Sequence, residues 1–509
     1  MKNKYIYILC TIITLFASCN DYLDVDPTQR AQLKTPEDVS KLLVTAYPKA
    51  SYVQFMEIMS DNVGDNSKWI RTDILGLVER PLTQNFWWEN VDDVEQDTPT
   101  NYWNSCYEAI AAANTAIRFI EESADPENYS AQLGEALLCR AYAHFMLSVF
   151  FAKPYDPATA DSDLGVPYVD APETVVFADY HRETVAKTYE LIEADLLKGL
   201  PLIDDASYSS YKYHFNKMAA NAFAGRFFLF KHDWEKVIKY TSVTLGTSEA
   251  SLLRDWNGSA GYNTLGPKEL TAIYTNYQEP ANLLMQEETS WYAFSTYYRY
   301  ILLKDINNDI YGSSQSKNAT GGRFVATPNL SYQSGVNEVM IPKFKEWQKF
   351  TSINSQSYYA YIMHPLFTAE EALLNRAEAY AMQGNTEGVC HDLNIYFSKR
   401  ISNYNAVTHN VTGEKINTFA KTLPDILSPI GYTLTEGDQL NQVKVVVDTK
   451  RKEFIHEGNR WFDVKRFNIE VTHTSYDKSR TETLGKNDLR RELQIPEEAQ
   501  QFGIAPNPR

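Results

Sequence analysis

Cys19 is the residue whose surroundings point most directly to a chemical modification. A basic start is followed by an apolar run from Tyr5 to Ala17, and then by Ser18 and Cys19. The run is about 13 residues, shorter than the ~20 that a membrane-spanning helix needs, so it predicts the apolar part of an export signal. A small residue directly before a cysteine is typical of bacterial lipoproteins, which are cleaved there and acylated on the sulfur. We therefore predict a lipoprotein signal peptide at residues 1–18 and lipidation of Cys19, against the alternative of an ordinary signal with an incidental cysteine.

A second group of candidate residues is aromatic and polar, and it lies within residues 51–100. Its members are Trp69, Trp87, Trp88, Asp65, Asn66 and Arg71. An indole can cover the apolar face of a sugar ring at a gain of about 1–2.5 kcal/mol, while polar side chains bond the hydroxyls at the rim. This composition predicts a ligand-binding surface. The alternative is that the tryptophans anchor this segment to the rest of the protein.

Residues 251–350 hold a similar mixture, from which Tyr277, Trp291 and Tyr298 are the candidate binding residues. The stretch from Trp291 to Tyr300 has the character of a strand, in which alternate side chains point to opposite faces. We expect one face to pack and the other to bind.

Catalytic and metal-binding patterns are weak by comparison. The nine histidines form no zinc-binding spacing, and His144, on an apolar helix face, is predicted to be a core residue. Asp305–Asp309 places oxygen ligands as a calcium loop does, but it lacks the required glycine and glutamate, so we predict an Asn/Asp turn. No catalytic residue, metal or cofactor is predicted, although a pair of glycosidase carboxyls would leave no signature in the sequence.

Charge and cysteine content narrow the class of protein. The 509 residues carry a formal net charge of −17, and loss of Lys2 and Lys4 with the signal would change −17 to −19. No basic run is present, so nucleic acid is excluded as an expected partner. The remaining cysteines, Cys106, Cys139 and Cys390, are predicted to be buried apolar residues rather than a disulfide framework.

Apolar residues at steps of three and four predict the elements that must position these groups. The predicted helices cover residues 101–122, 130–153, 182–200, 216–230, 234–245, 368–382 and 386–399. Their pairing at about 34 residues resembles tetratricopeptide repeats. The predicted fold is mostly α, with a scaffold of helix pairs and long, loop-rich, aromatic insertions at about 51–100 and 251–350 forming the binding face. Trp103 is predicted to lie in the core, and Trp256 and Trp347 to be packing residues.

Near the C-terminus, acidic and basic residues alternate at helical spacing between Arg451 and Arg466. Opposite charges three or four residues apart stabilise a helix. We interpret this set as ion pairs that hold the last helix to the scaffold rather than as catalytic groups.

Several of these stretches together resemble a known family. They are Tyr107–Asn114, Arg140–Phe145, Gly165–Tyr168, Arg451–Arg466 and Gln494–Glu498, and the most specific is Glu457-Gly-Asn-Arg-Trp-Phe-Asp463. From Cys19 to the C-terminus the chain resembles the SusD/RagB family of nutrient-binding outer-membrane lipoproteins of Bacteroidetes.

The resemblance implies a single helical domain at residues 19–509, with an N-terminal tether at about 19–35. It implies that the protein binds an oligosaccharide, performs no chemistry, and delivers the ligand to a SusC-like TonB-dependent transporter. It also implies an outer-membrane location, through lipid on Cys19, facing the cell exterior. A peptide-binding, RagB-like receptor is the alternative within binding proteins, and a glycoside hydrolase is the alternative from another class.

Overall fold

The structure is a computed structural model that describes residues 33–66, 79–173, 180–259, 261–292, 299–325, 337–350, 352 and 358–509. Four of the candidate residues lie outside these ranges: Cys19, Trp69, Arg71 and Tyr298. The signal peptide and most of the tether lie outside them as well.

Helices dominate the described chain. In order they are α1 (Pro36–Leu43), α2 (Val53–Met59), α3 (Glu79–Phe86), α4 (Pro99–Glu121), α5 (Ser130–Phe151), α6 (Val185–Gly199), α7 (Lys217–Phe230), α8 (Trp234–Leu245), α9 (Glu249–Leu252), α10 (Pro267–Tyr274), α11 (Lys304–Tyr311), α12 (Ala369–Met382), α13 (Thr386–Ser398), α14 (Gly413–Ala420), α15 (Asp438–Glu453), α16 (Arg460–Arg466) and α17 (Glu497–Gln501). None of the helices in the described ranges is both long enough and apolar enough to cross a bilayer.

The strands are few and short. They are β1 (Gly64–Asp65), β2 (Asn282–Thr289), β3 (Tyr300–Ile301), β4 (Trp347–Phe350), β5 (Tyr358–Thr368), β6 (Val471–Thr474) and β7 (Thr481–Leu484). All pairings are antiparallel: β1 with β3, β6 with β7, and a three-stranded sheet in the order β2–β5–β4.

The predicted helix pairs are present, and the mostly α, tetratricopeptide-like fold is confirmed. Helix α4 packs on α5, α5 on α6, α7 on α8, and α12 on α13. Side-chain caps fix where the helices begin: Thr98 accepts a bond from the amide of Asn101, and Thr184 from that of Lys187. Gly225 lets α7 approach α8, since a Cβ there would lie 2.6 Å from a methyl carbon of Thr241.

The insertions contain more regular structure than predicted. Helices α2 and α3 lie in the first, and α10, α11 and strands β2 to β4 lie in the second. The predicted turn at Asp305–Asp309 is wrong, because these residues belong to α11. Local Asn/Asp propensity is outweighed there by the burial of Ile310 and Tyr311 against the core.

The core confirms most of the packing predictions. Trp103 and Trp256 are 3% and 1% exposed, and Cys106 and Cys139 are buried free thiols, while Cys390 is half-buried. His144 is fully buried, with Nδ1 bonded to the carbonyl of Arg140 and Nε2 accepting from the amide of Val169; burial lowers its pKa to about 3. The prediction for Trp347 is wrong. It lies on β4, an edge strand whose four residues are all exposed, and its side chain is 39% exposed.

The charged C-terminal stretch does not form one helix. It breaks between α15 and α16, where His456 and Gly458 adopt φ values of 69° and 73°. A Cβ on Gly458 would lie 3.0 Å from the carbonyl oxygen of Val53, so this turn needs glycine. The ion pairs are present, but they reach other elements: Arg460 and Arg451 both bond Asp61, and Arg466 bonds Glu378.

Candidate ligand-binding surface

The two insertions meet through a small polar junction. Strand β1 of the first pairs with β3 of the second. Arg299 donates to Asp65 at 3.1 Å and to Glu79 at 2.5 Å, and Asn66 donates its amide to Glu338 at 2.9 Å. Asp65 is only 5% exposed and also accepts from the backbone amide of Tyr476. The structure therefore places Asp65 and Asn66 where they join the insertions, with their bonding capacity already engaged.

Trp87 and Trp88 are packed rather than open. They are 4% and 2% exposed, and the indole N–H of Trp88 donates to the carbonyl of Met59 at 3.0 Å. The imidazole of His473, from β6, stacks between Phe86 and Trp88, with ring centroids 4.0 and 4.4 Å away. A guanidinium, that of Arg480, covers the Trp87 ring at 4.2 Å. These rings anchor the first insertion to the C-terminal chain, which is the alternative that the sequence left open.

An exposed aromatic surface lies on the β2–β5–β4 sheet. Trp347 of β4 stands opposite Tyr361 of β5, and Lys349 stands opposite Tyr359. Because directly paired residues share a face, these four side chains lie on one side of the sheet, and Glu287 of β2 lies on the same side. We call this set of five residues the aromatic face. Trp347 is 39% and Tyr359 is 59% exposed, while Ala360 and Ile362, on the opposite side, are fully buried.

Charged side chains border the aromatic face. Lys345 lies 3.6 Å from the centroid of the Trp347 ring, and Lys349 reaches across β5 to Glu287 at 3.5 Å. These are the components that bind a sugar: flat apolar surfaces surrounded by hydrogen-bond donors and acceptors.

Trp291 lies beside the same sheet, half-buried. Its ring lies edge-on to Tyr358 at 5.6 Å, and Phe350, which is 56% exposed, lies 5.7 Å from Tyr358. Asp97 fixes this corner, because its carboxylate accepts from the Trp291 amide and the Ser290 hydroxyl, each at 2.6 Å. Burial raises the pKa of Asp97 to about 7.

Tyr277 belongs to another aromatic group. Its ring neighbours among the described residues are Tyr213 at 5.3 Å and Tyr211 at 6.2 Å, and Lys212 lies 5.9 Å from its centroid. Tyr211 is 37% exposed, so this group also reaches solvent.

Comparison with known families decides what kind of protein carries this surface. A family model described as starch-binding and associating with the outer membrane, SusD-like_3, matches residues 21–229, and the SusD family model SusD_RagB matches residues 263–502. The chain belongs to the SusD/RagB family. The resemblance seen in the sequence is thereby confirmed.

Solved SusD structures share the fold. A SusD superfamily protein from Bacteroides thetaiotaomicron is 18% identical, with a TM-score of 0.64 over 94% of this chain and 100% of the other. One from Bacteroides fragilis is 19% identical, with a TM-score of 0.66 over 92% and 98%. A laminarin-binding SusD-like protein is 14% identical, with a TM-score of 0.58 over 94% and 100%. A comparison with curated protein sequences gives no match.

The sequence interpretation missed most of the aromatic face of this SusD/RagB protein. Trp347 was assigned to packing, and Tyr359 and Tyr361 received no role. A signal was available, because Tyr359, Tyr361 and Met363 alternate with Ala360 and Ile362 in the period-two pattern of a half-buried strand.

One described cluster has the spacing of a metal site. Donor atoms of Glu249, His391 and Asp392 lie within 4.8 Å of one another. Arg376 donates to both carboxylates, at 2.6 Å each. The Arg376 guanidinium already bonds both carboxylates, so the cluster serves as an ion-pair network between α9, α12 and α13.

Proposed function

We propose that this protein binds an oligosaccharide on the aromatic face, and that Trp291, which contacts Tyr358 on the other side of the sheet, is a further candidate contact. The observation that carries the proposal is the exposure of Trp347 and Tyr359, at 39% and 59%, on a sheet that is buried at Ala360 and Ile362 on its other side. Large aromatic side chains are usually withdrawn from water, so a contiguous exposed group marks a binding site.

The energetics suit a receptor that releases its ligand. Each aromatic platform contributes about 1–2.5 kcal/mol, and two or three platforms must offset the cost of association. The expected dissociation constant is millimolar to micromolar, which corresponds to a binding free energy of about −4 to −8 kcal/mol. The net charge of −17 favours a neutral glycan over a polyanionic one. The laminarin-binding relative of the same fold supports a glucan as the first ligand to test.

The other predicted site residues keep proposed roles. Trp69, Arg71 and Tyr298 lie outside the described residues and remain candidate ligand contacts. Asp65 and Asn66 contribute by joining the two insertions, and Trp87 and Trp88 by packing the first insertion against the C-terminal chain. Tyr277 remains a candidate contact for a longer ligand.

The proposed place of action is the outer membrane. Lipid on Cys19 anchors the mature protein, facing the exterior, and residues 19–35 tether the domain. The glycan passes, without any bond being broken, to a SusC-like TonB-dependent transporter. The support is the family model described as associating with the outer membrane and the lipoprotein pattern at Cys19. Substitution Cys19→Ala should release the protein from the membrane fraction of cells, and retention of the variant there would contradict lipid anchoring.

Calorimetry with purified protein tests the binding function. Laminari-oligosaccharides, malto-oligosaccharides and oligopeptides are titrated in parallel into the wild type, Trp347→Ala and Tyr359→Ala. We expect saturable binding of one glycan class, weakened by both substitutions. Binding of peptides alone would favour the RagB-like alternative.

An assay for new reducing ends in the same mixtures separates a receptor from an enzyme. The proposal expects the glycan to remain intact over hours. Steady release of reducing ends would instead identify a glycoside hydrolase.

A further inference from the structure

A small cleft lies away from the sheet, between the chain that follows α3 and the C-terminal residues 490–509. Its volume is about 190 Å³. That is room for about six water molecules at roughly 30 Å³ each, and it is smaller than the roughly 300–1,000 Å³ of sites for drug-sized ligands. The size therefore suits one sugar ring rather than a chain.

The floor of the cleft contains an unsatisfied polar group. Asn85, at the end of α3, lines the cleft and is only 1% exposed, yet its side-chain amide nitrogen has no hydrogen-bond acceptor among the described residues. Burying such a group without a partner costs about 1–3 kcal/mol. A ligand hydroxyl in the cleft would supply the missing acceptor.

The remaining walls combine apolar and polar groups. Trp88, Ile495 and Pro496 supply apolar surface, and they are all buried. Gln494 and Arg509 lie at the rim, but much of their hydrogen-bonding capacity is engaged within the protein. Gln494 bonds the backbone of Asn507 at 2.7 and 3.0 Å, and Arg509 bonds Asn90 at 2.8 Å. The rim is thus held in place before any ligand arrives.

The charges around the cleft nearly balance. Its lining includes the basic Arg490 and Arg509 and the acidic Glu89, Asp92 and Glu497. A mixed rim of this kind offers both donors and acceptors, which matches the hydroxyls of a neutral sugar better than it matches an anion or a cation.

We propose that this cleft is a second carbohydrate site, which takes a single neutral sugar residue with a hydroxyl accepting from Asn85. The ligand class rests on the proposed function, but the site is separate from the aromatic face and is built from different elements.

The test measures two ligands on the same variants. Saturation-transfer NMR with methyl glycosides of glucose, galactose, mannose and xylose at about 10 mM reports on the cleft, since millimolar binding is expected there. Calorimetry with laminari-oligosaccharides reports on the aromatic face. Asn85→Leu removes the unpaired amide while keeping the volume, and Val91→Phe fills the cleft from its rim. Asn263→Leu is the matched control, because Asn263 also carries an unpartnered buried side-chain atom but does not line the cleft.

We expect at least one methyl glycoside to bind to the wild type and to Asn263→Leu, and to bind about tenfold or more weakly to Asn85→Leu and Val91→Phe. Because Asn85→Leu removes an unsatisfied buried group, it should unfold no earlier than the wild type. Unchanged glycoside binding in folded Asn85→Leu and Val91→Phe would overturn the proposal, as would the absence of binding by every glycoside. If Trp347→Ala loses oligosaccharide binding but still binds the glycoside, the two sites bind their ligands independently.

Discussion

Two regions of this protein hold residue types in environments that they usually avoid, one by burying charged side chains and the other by exposing aromatic ones. In the scaffold, Arg400 and Glu453 are 0% and 4% exposed and bond each other at 2.8 Å, and Arg254 bonds Glu370 at 2.8 Å beside them. On the aromatic face, Trp347 and its neighbours are exposed to water. Charged side chains are thus buried in the scaffold, and aromatic side chains are exposed on the sheet. The difference separates two tasks: buried charges that have partners specify how helices pack, whereas rings that face water are accessible to a ligand.

The largest effect is expected from breaking the buried network. Glu453→Ala removes the acceptor of Arg400 and of the Tyr396 hydroxyl, which lies 2.8 Å away. Although burial acts against it, the Arg400 guanidinium holds the pKa of Glu453 below its usual range, so the carboxylate is charged. Leaving Arg400 buried without this partner should cost about 3–5 kcal/mol of unfolding free energy.

Denaturant unfolding, followed by circular dichroism, measures this loss. The control is Glu436→Ala, which removes an exposed carboxylate from the same half of the chain and should change stability by less than about 0.5 kcal/mol. Equal stability of the two variants would contradict the assignment of the network to the scaffold.

Asp97 connects the two regions, and it predicts how stability depends on pH. Burial raises its pKa from 3.8 to about 7, and burial raises that of Glu57 to about 7 as well. The folded state then holds a proton that the unfolded state releases, so the contribution is complete below the unfolded pKa and is lost as the pH rises to about 7. For Asp97 alone, this difference between the folded and unfolded pKa corresponds to roughly 4 kcal/mol.

Thermal unfolding at about pH 5 and about pH 8 checks the direction. Because burial lowers the pKa of His144 and His456 to about 3, these histidines favour the higher pH, so the contribution of Asp97 is measured against Asp97→Asn, which is neutral at both. We expect the stability of the wild type relative to Asp97→Asn to be greater at the lower pH. Glu378 acts in the opposite direction at lower pH: Arg466 and Lys450 outweigh its burial and lower its pKa to about 2, so its contribution is lost as the pH falls below about 4. A wild type that gains no stability relative to Asp97→Asn at the lower pH would refute the protonated state of Asp97.

On the aromatic face, affinity should change while stability does not. Trp347→Ala should weaken oligosaccharide binding by about 1–2.5 kcal/mol, because one stacking platform is lost. The unfolding free energy should stay within about 0.5 kcal/mol, since the side chain already faces water. Calorimetry and denaturant unfolding of one preparation give both values.

Val407→Ala is the control for this change. Val407 is 86% exposed on a loop of the helical half, so the substitution removes exposed apolar surface without touching the sheet. We expect neither the affinity for the oligosaccharide nor the unfolding free energy to change. If Trp347→Ala destabilises the protein by several kcal/mol, the ring is a packing residue, as the sequence had suggested.

The same contrast explains what the sequence could predict. Helices such as 99–121 and 130–151 were found within two residues of their bounds, because each carries an apolar stripe and a local end signal. The burial of His144 followed from its place on such a stripe. The local sequence pattern was sufficient to predict a segment wherever the segment packs through an apolar stripe of regular spacing.

The binding surface was harder, because long-range packing decides which aromatic residues reach water. Trp88 is buried by His473, which follows it by 385 positions, and the sequence near Trp88 does not predict that contact. Trp347 is exposed because β4, among the described strands, pairs with β5 alone and lies at the edge of the sheet. The composition of the insertions indicated binding, but it did not distinguish the rings that reach water from those that pack in the interior.

The smallest effect is expected for an exposed ion pair on the aromatic face, whose coupling energy can be compared with that of a buried pair in the scaffold. Lys349 and Glu287 lie 3.5 Å apart on the aromatic face, with side chains 69% and 50% exposed. Lys343 and Glu457 lie 2.5 Å apart in the core, with side chains 3% and 2% exposed. Water screens the first pair, so a double-mutant cycle on stability should give a coupling of about 0–0.5 kcal/mol. The buried pair should couple more strongly, because either partner alone is left as an uncompensated charge. A coupling at Lys349–Glu287 as large as that at Lys343–Glu457 would mean that the aromatic face is organised by its own charges, and would remove the distinction between a surface that binds and a scaffold that holds.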